Sequence, residues 1–277
     1  MNYISMNRAE RSTRMPSPVF DLTARHWQRY VAIGDSFTEG FGDPSPESPG
    51  GFRGWADRVA EALGKANPDF DYANLAIQGL GVRDVIDSQL DEALALEPDL
   101  VSFQAGGNDL IKPSADPDKL AELIEPALRK ILLTGATVLL FIGPDSGPHT
   151  VLGLLRARVA TFNENLRSIA KRLGVLVVDL WALRALHDPH MWDTDRLHLS
   201  RAGHECVTAL VLSILGKIDP GCLLKPEPQI PLHWREARAQ DLAWTGKYLI
   251  PWLLRAAAPH RSTEVPTAKL PRPEHLD

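Results

Sequence analysis

Cysteine is nearly missing from this chain: Cys206 and Cys222 are the two in 277 residues, too few for a disulfide scaffold or a cysteine-ligated zinc site. Cys206 adjoins the apolar helical run Val207 to Leu215, and both thiols read as buried or neutral. Basic residues do not exceed acidic ones, 30 Lys and Arg against 35 Asp and Glu, and they are scattered, which argues against a nucleic-acid surface. Long hydrophobic runs are lacking as well. None can span a bilayer, and Met1 to Met15 carries charges where a leader would carry an apolar core. The expectation is a cytoplasmic chain with no nucleic-acid partner and with membrane attachment disfavoured. Met6 and Met15 stand beside Met1 as alternative starts. What is present is ordinary for a globular protein, 44% hydrophobic and 23% charged residues, enough for one large domain or two small ones.

The stretch from Arg29 to Gly40 organises the rest. Tyr30, Val31, Ala32 and Ile33 are β-branched and aromatic enough for a strand buried on both faces, and Gly34 stops it. Ser36 then stands just past a strand end, where open parallel sheets place their ligands, and is the candidate nucleophile. Ser36 and Asp35 equally suit the cap of a short helix. The stretch is not a phosphate loop, because no Gly-Lys-Ser/Thr follows, nor a Gly-x-Ser-x-Gly elbow, because position 38 is Thr.

Further strands are predicted at 71–77, 100–104, 137–142 and 175–178. Helices lie between them, marked by Trp55, Val59 and Leu63, by Val82, Val85, Ile86 and Leu90, and over 120–133 and 154–173. This alternation implies right-handed crossovers and a parallel sheet of about five strands covered on both faces. Polar loops follow the strand ends: the Pro-, Gly- and Ser-rich 41–51, which lies beside Ser36 and is placed to cover a pocket, then 105–109, 143–149 and 192–204. The reading divides the chain into a partly disordered extension over 1–27, a main domain over 28–216 and a Pro-rich extension over 217–277. That last part carries an amphipathic helix at about 234–255, with Leu242, Trp244, Tyr248, Leu249, Trp252 and Leu253, followed by a polar tail. So apolar a stripe should pack on the main domain or on a second copy of the chain, a possible homo-oligomer contact.

Acyl transfer by a serine needs a base, a carboxylate to orient it and donors for the oxyanion. Asp195 and His198 are spaced so that one turn brings the carboxylate to Nδ1 while Nε2 faces Ser36. Gly79 offers a backbone N–H and Asn108 an amide. Gly34-Asp35-Ser36, Gly79 after Asn74-Leu-Ala-Ile-Gln, Gly106-Gly107-Asn108-Asp109 and Asp195-x-x-His198 together resemble the ordered blocks of the SGNH/GDSL hydrolases over roughly residues 28–216. The resemblance implies a flavodoxin-like, three-layer α/β/α sandwich with a doubly wound sheet, no cofactor and no metal, and a Ser-His-Asp mechanism with an acyl-enzyme intermediate on a small-molecule ester. Short acyl or acetyl esters, O-acetylated sugars and thioesters suit the small-residue loop beside Ser36 equally. It implies Ser36 as nucleophile, His198 as base and Asp195 as its orienter. The oxyanion hole would comprise the Ser36 and Gly79 N–H groups and the Asn108 side chain. Phe37 replaces the family's leucine and Leu199 its frequent proline, changes that leave the reacting atoms alone.

Bland roles stand beside these. Asn108 also suits a turn bridge, Gly79 a turn glycine with Gly81 supplying the inward N–H, and His187, His190 and His204 read as structural. Two other functions compete. One is a metal-dependent phosphoesterase built on Asp35, Asn108, Asp193, Asp195 and His198, which has few imidazoles for such a site. The other is a silent binding module on the same fold.

Overall fold

Strand β1 (Arg29–Ile33) sends Val31 and Ile33 into one apolar layer and Tyr30 and Ala32 into the other, so its two-residue period builds both faces of the sheet. The computed structural model of the protein describes residues 22–145, 147, 151–219, 244–251 and 267–275. Around β1 lie β2 (Asp71–Asn74), β3 (Leu100–Phe103), β4 (Thr137–Ile142) and β5 (Leu176–Asp179), all parallel, in the order β5-β4-β3-β1-β2. Helices α3 (Val82–Ala95), α5 (Pro117–Leu132) and α6 (Arg156–Leu173) cover the Val31 face, while α2 (Trp55–Gly64) and α7 (Arg201–Ile214) cover the Tyr30 face. Two short helices, α1 (Ser36–Glu39) and α4 (Gly107–Leu110), open directly after β1 and β3. No described helix is long and apolar enough to cross a membrane.

The five expected parallel strands are all present, and the sheet adds one. A sixth, β6 (Leu270–Glu274), pairs antiparallel with the outer side of β2, with Asn74 opposite Leu270 and Tyr72 opposite Glu274. It comes from the stretch read as polar tail, whose sequence Leu-Pro-Arg-Pro-Glu argues against a strand. The prolines alternate with the paired positions, so the N–H groups they lack fall on the outer edge, where a sheet tolerates them. Of the helix expected at 234–255, residues 244–251 are described, with a π-helical turn over Thr245–Leu249; the remainder lies outside the described residues, as does Cys222.

The second strand stops at Asn74 instead of running to Ile77, because the Asn74 amide turns inward. It donates to the Thr38 carbonyl and the Tyr72 hydroxyl, and its oxygen takes the Ala76 N–H. Crossovers from β1 run to β2 on one side and, through β2, to β3 on the other. The crevice between the carboxyl ends of β1 and β3 is therefore the sheet's switch point, where doubly wound folds bind ligands.

Candidate active site

Ser36 is the first residue of α1, and Asp35 caps that helix by accepting the Phe37 N–H at 3.0 Å. Behind them Gln89 holds the Gly34 peptide from both sides, its oxygen taking the Gly34 N–H at 2.8 Å and its amide donating to the Gly34 carbonyl at 2.9 Å. A glutamine on the buried side of α3 looks out of place in sequence, and this clamp is its reason.

Asp195 and His198 ride on a tight loop closed by a bridge between Trp192 and Leu199 and by the Asp193 N–H donating to the His198 carbonyl at 2.8 Å. The Asp195 carboxylate caps its own turn, accepting the Leu197 and His198 N–H groups through Oδ1, while Oδ2 meets His198 Nδ1 at 2.6 Å. On the other side of the ring, His198 Nε2 lies 3.0 Å from Ser36 Oγ. Both apparent roles of Ser36, helix start and hydroxyl partner of an imidazole, are thus met at once. Burial pushes the Asp195 carboxyl up, but hydrogen bonding and charge from His198, with the two backbone donors, outweigh it and hold the group below its ordinary value. Phe41 packs on the His198 ring with centroids 4.5 Å apart, and Phe52 packs on Phe41. Gly42, at φ 99°, allows this approach, since a Cβ there would stand 2.1 Å from the Leu199 carbonyl oxygen.

Asn108 Nδ2 spans the switch-point crevice, donating to Asp35 Oδ2 at 3.3 Å and to the Leu80 carbonyl at 3.0 Å. It therefore makes the turn-bridging contacts as well as sitting beside the Ser36 turn. Gly81 is occupied, its N–H going to Asp84 at 3.1 Å. Gly79 has φ 81°, and its N–H makes no hydrogen bond among the described residues. Burial raises the Asp35 carboxyl to about 6 and raises Glu39 as well.

The remaining histidines lie elsewhere. His190 meets Asp188 at 2.9 Å and His187 lies 3.9 Å from Asp145. His204, fully buried, accepts the Trp55 N–H through Nδ1 at 3.1 Å and donates from Nε2 to the Phe41 carbonyl at 3.2 Å; burial lowers it to about 4, so the ring is neutral. Among the described residues no group of three or more His, Cys, Asp or Glu side chains is arranged to hold a metal ion.

Two further groups reach the site from the C-terminal part of the chain and carry no motif. Trp244 donates its indole N–H to the Asp195 carbonyl at 2.7 Å, with the Arg196 guanidinium 5.8 Å over its ring. Lys269 enters beneath α1, its side chain wholly enclosed.

In comparisons with known proteins, residues 32–206 match the family model of the GDSL-like lipase/acylhydrolases. A search of curated proteins finds no match. Among solved structures the chain is similar to LAE5, an α/β hydrolase enzyme from the metagenome of Lake Arreo, Spain (22% identity, TM-score 0.59, covering 69% of this chain and 96% of that one). It is similar to a catalytic mutant of Axe2, an acetylxylan esterase from Geobacillus stearothermophilus (20%, 0.58, 68% and 94%), and to TesA (22%, 0.57, 68% and 98%). These likenesses speak for the fold. The family match extends from the middle of β1 to α7 and takes in every rim segment described above: the chain belongs to the GDSL-like lipase/acylhydrolase family of ester-hydrolysing enzymes.

Proposed function

We propose that the chain hydrolyses short-chain carboxylic esters, acetyl esters of sugars among them, through an acyl-enzyme on Ser36. The observation that carries the reading is the continuous chain Ser36 Oγ, His198, Asp195, with contacts of 3.0 and 2.6 Å. Ser36 Oγ attacks the ester carbonyl as its proton passes to His198 Nε2. Asp195 holds Nδ1–H and steadies the imidazolium. The oxyanion that forms takes the N–H of Ser36, which as a first helical residue has no partner within its helix, together with that of Gly79. One Asn108 N–H joins them by leaving its longer contact, that with Asp35, while the bond to Leu80 keeps the amide in place. His198 returns the proton to the leaving alkoxide, then activates a water that releases the acid and restores Ser36.

Small acyl groups are favoured because Phe41 and Phe52 crowd the imidazole side of the nucleophile and the 41–51 loop lies close against the histidine loop at Gly42. A structural neighbour named as an acetylxylan esterase points the same way. A metal-dependent reaction is less well supported: both His198 ring nitrogens are engaged, one with Asp195 and one with Ser36, and Asp193 joins the loop through its backbone. The test is hydrolysis of p-nitrophenyl acetate and of acetylated xylooligosaccharides by wild type and Ser36→Ala. The expected result is turnover on one or both substrates that vanishes in the variant while circular dichroism is unchanged. Turnover that survives the substitution, or that a chelator abolishes, would overturn the reading.

A further inference from the structure

Helix α1 has four residues, too few to hold its own shape, so the direction in which Ser36 points depends on what holds the end of the helix. Its four carbonyls all find donors, and three of those donors are side chains. Ser36 O accepts the Gly40 N–H at 3.1 Å, Phe37 O the Trp55 indole at 3.0 Å and Thr38 O the Asn74 amide at 3.0 Å; Glu39 O accepts Lys269 Nζ at 2.8 Å. The first three donors lie within the stretch matched by the family model, and the fourth comes from 230 residues further along, next to β6.

An ammonium has three N–H bonds, and Lys269 uses them all. Besides Glu39 O it donates to the Phe52 carbonyl at 2.6 Å and to Asp57 Oδ2 at 2.6 Å. The Phe52 contact fixes the end of the 41–51 loop, whose aromatic pair lies on His198. Asp57 in turn accepts the Tyr72 hydroxyl at 3.1 Å and the Gly54 N–H at 2.6 Å, and the Tyr72 oxygen accepts from Asn74, which closes the circuit back to α1 at Thr38. Leu270, buried beside it, and the pairing of β6 with β2 fix where the lysine enters.

We propose that Lys269 is a positioning residue for the reaction at Ser36: the C-terminal strand acts as an internal latch whose buried ammonium holds the nucleophile turn and the Phe41–Phe52 loop in register with His198. The proposal rests on Ser36 being the nucleophile. Displacements of about 1 Å in a reacting group reduce rates about 10²-fold, so releasing two carbonyls that set its aim should be felt in kcat.

The experiment compares full-length wild type, Lys269→Met and the double variant Asp57→Asn/Lys269→Met in p-nitrophenyl acetate kinetics and in the rate at which a fluorophosphonate labels Ser36, with thermal midpoints measured alongside. The single variant leaves Asp57 buried without its cation and lowers the midpoint; the double variant removes that charge and recovers most of the loss. In both, kcat and the labelling rate should fall about 10- to 100-fold while KM stays within about threefold. If the single variant fails to fold, the double variant carries the same reading. A double variant that recovers kcat with its midpoint would show that Lys269 only neutralises Asp57, and either variant with wild-type kcat would equally overturn the latch. Ser36→Ala in the same assay separates the two ideas. Turnover that survives it removes the Ser36 reading and the latch together, whereas its loss beside unchanged kcat in the Lys269 variants removes the latch alone.

Discussion

Two polar assemblies grip the same four-residue helix from opposite ends. At its start, Ser36 meets His198 and Asp195 in a half-open rim; at its end, Thr38 and Glu39 meet Asn74, Tyr72, Asp57 and Lys269 in a closed interior. The rim has side chains that can still reach solvent and stands at a sheet switch point. The interior has its carboxylate and ammonium paired with each other and with backbone. Polar groups buried without a place for substrate serve position, while polar groups left partly open at a strand end serve chemistry.

That contrast predicts unequal responses to substitution. At the rim, Asp195→Asn should lower kcat by about 10²- to 10⁴-fold, because the imidazole loses the group that fixes its tautomer. Asp193→Asn, two residues away, should stay within about twofold of wild type, since Asp193 holds the loop through its backbone. Steady-state kinetics on p-nitrophenyl acetate decide, and the reverse order would assign the orienting carboxylate to the wrong residue. Asn108→Ala should lower kcat by about 10²- to 10³-fold with KM little changed, as for loss of one oxyanion donor. A change confined to KM would make Asn108 a ground-state contact.

Trp244→Phe keeps the ring and removes only the donor to the Asp195 carbonyl. A single hydrogen bond is worth about 0.5–1.5 kcal/mol, so kcat should fall about two- to tenfold, less than for Asp195 or Asn108. An unchanged rate would make the 244–251 segment a cover and not a brace.

Two further effects are on stability; they carry opposite signs and leave little net change in wild type. Burial raises Asp35 from 3.8 to about 6 and lowers His204 from 6.5 to about 4. Asp35 holds its proton more tightly folded than unfolded, so its contribution is full below 3.8 and is lost as pH rises through about 6. His204 behaves conversely: its contribution is full above 6.5 and is lost as pH falls towards about 4. At roughly 1.4 kcal/mol per pH unit each is worth about 3 kcal/mol, and in wild type they nearly cancel. Between pH 7 and 4, the thermal midpoint of His204→Gln should climb relative to wild type and that of Asp35→Asn should drop, each by about 5 °C or more. Parallel curves for all three proteins would contradict the assignment.

How much of this was legible in the sequence follows the same division. β1, β4 and β5 were readable because they are short apolar runs closed by Gly34, Gly143 and Asp179, and the rim because its groups stand at strand ends or, for Asp195 and His198, within one turn. The spacing that suggested a carboxylate on Nδ1 is met at 2.6 Å. Asn108 was placed in the right crevice, but its resting contacts with Asp35 and Leu80 depend on backbone turns that no motif records. The interior assembly was out of reach for another reason. Lys269 finds Asp57 across 212 residues, and Trp244 finds the Asp195 carbonyl across 49. Neither distance leaves a periodic trace, and the prolines of β6 disguise the strand that brings the lysine in.

The central claim is that Ser36 is a nucleophile made reactive by His198. Its most direct measurement is the mass of the intact protein and of its peptides after treatment with a fluorophosphonate, for wild type, Ser36→Ala and His198→Ala. The account predicts one adduct per chain, located on Ser36, absent in Ser36→Ala and formed far more slowly in His198→Ala. An adduct on another serine, or equal labelling with and without His198, would contradict it.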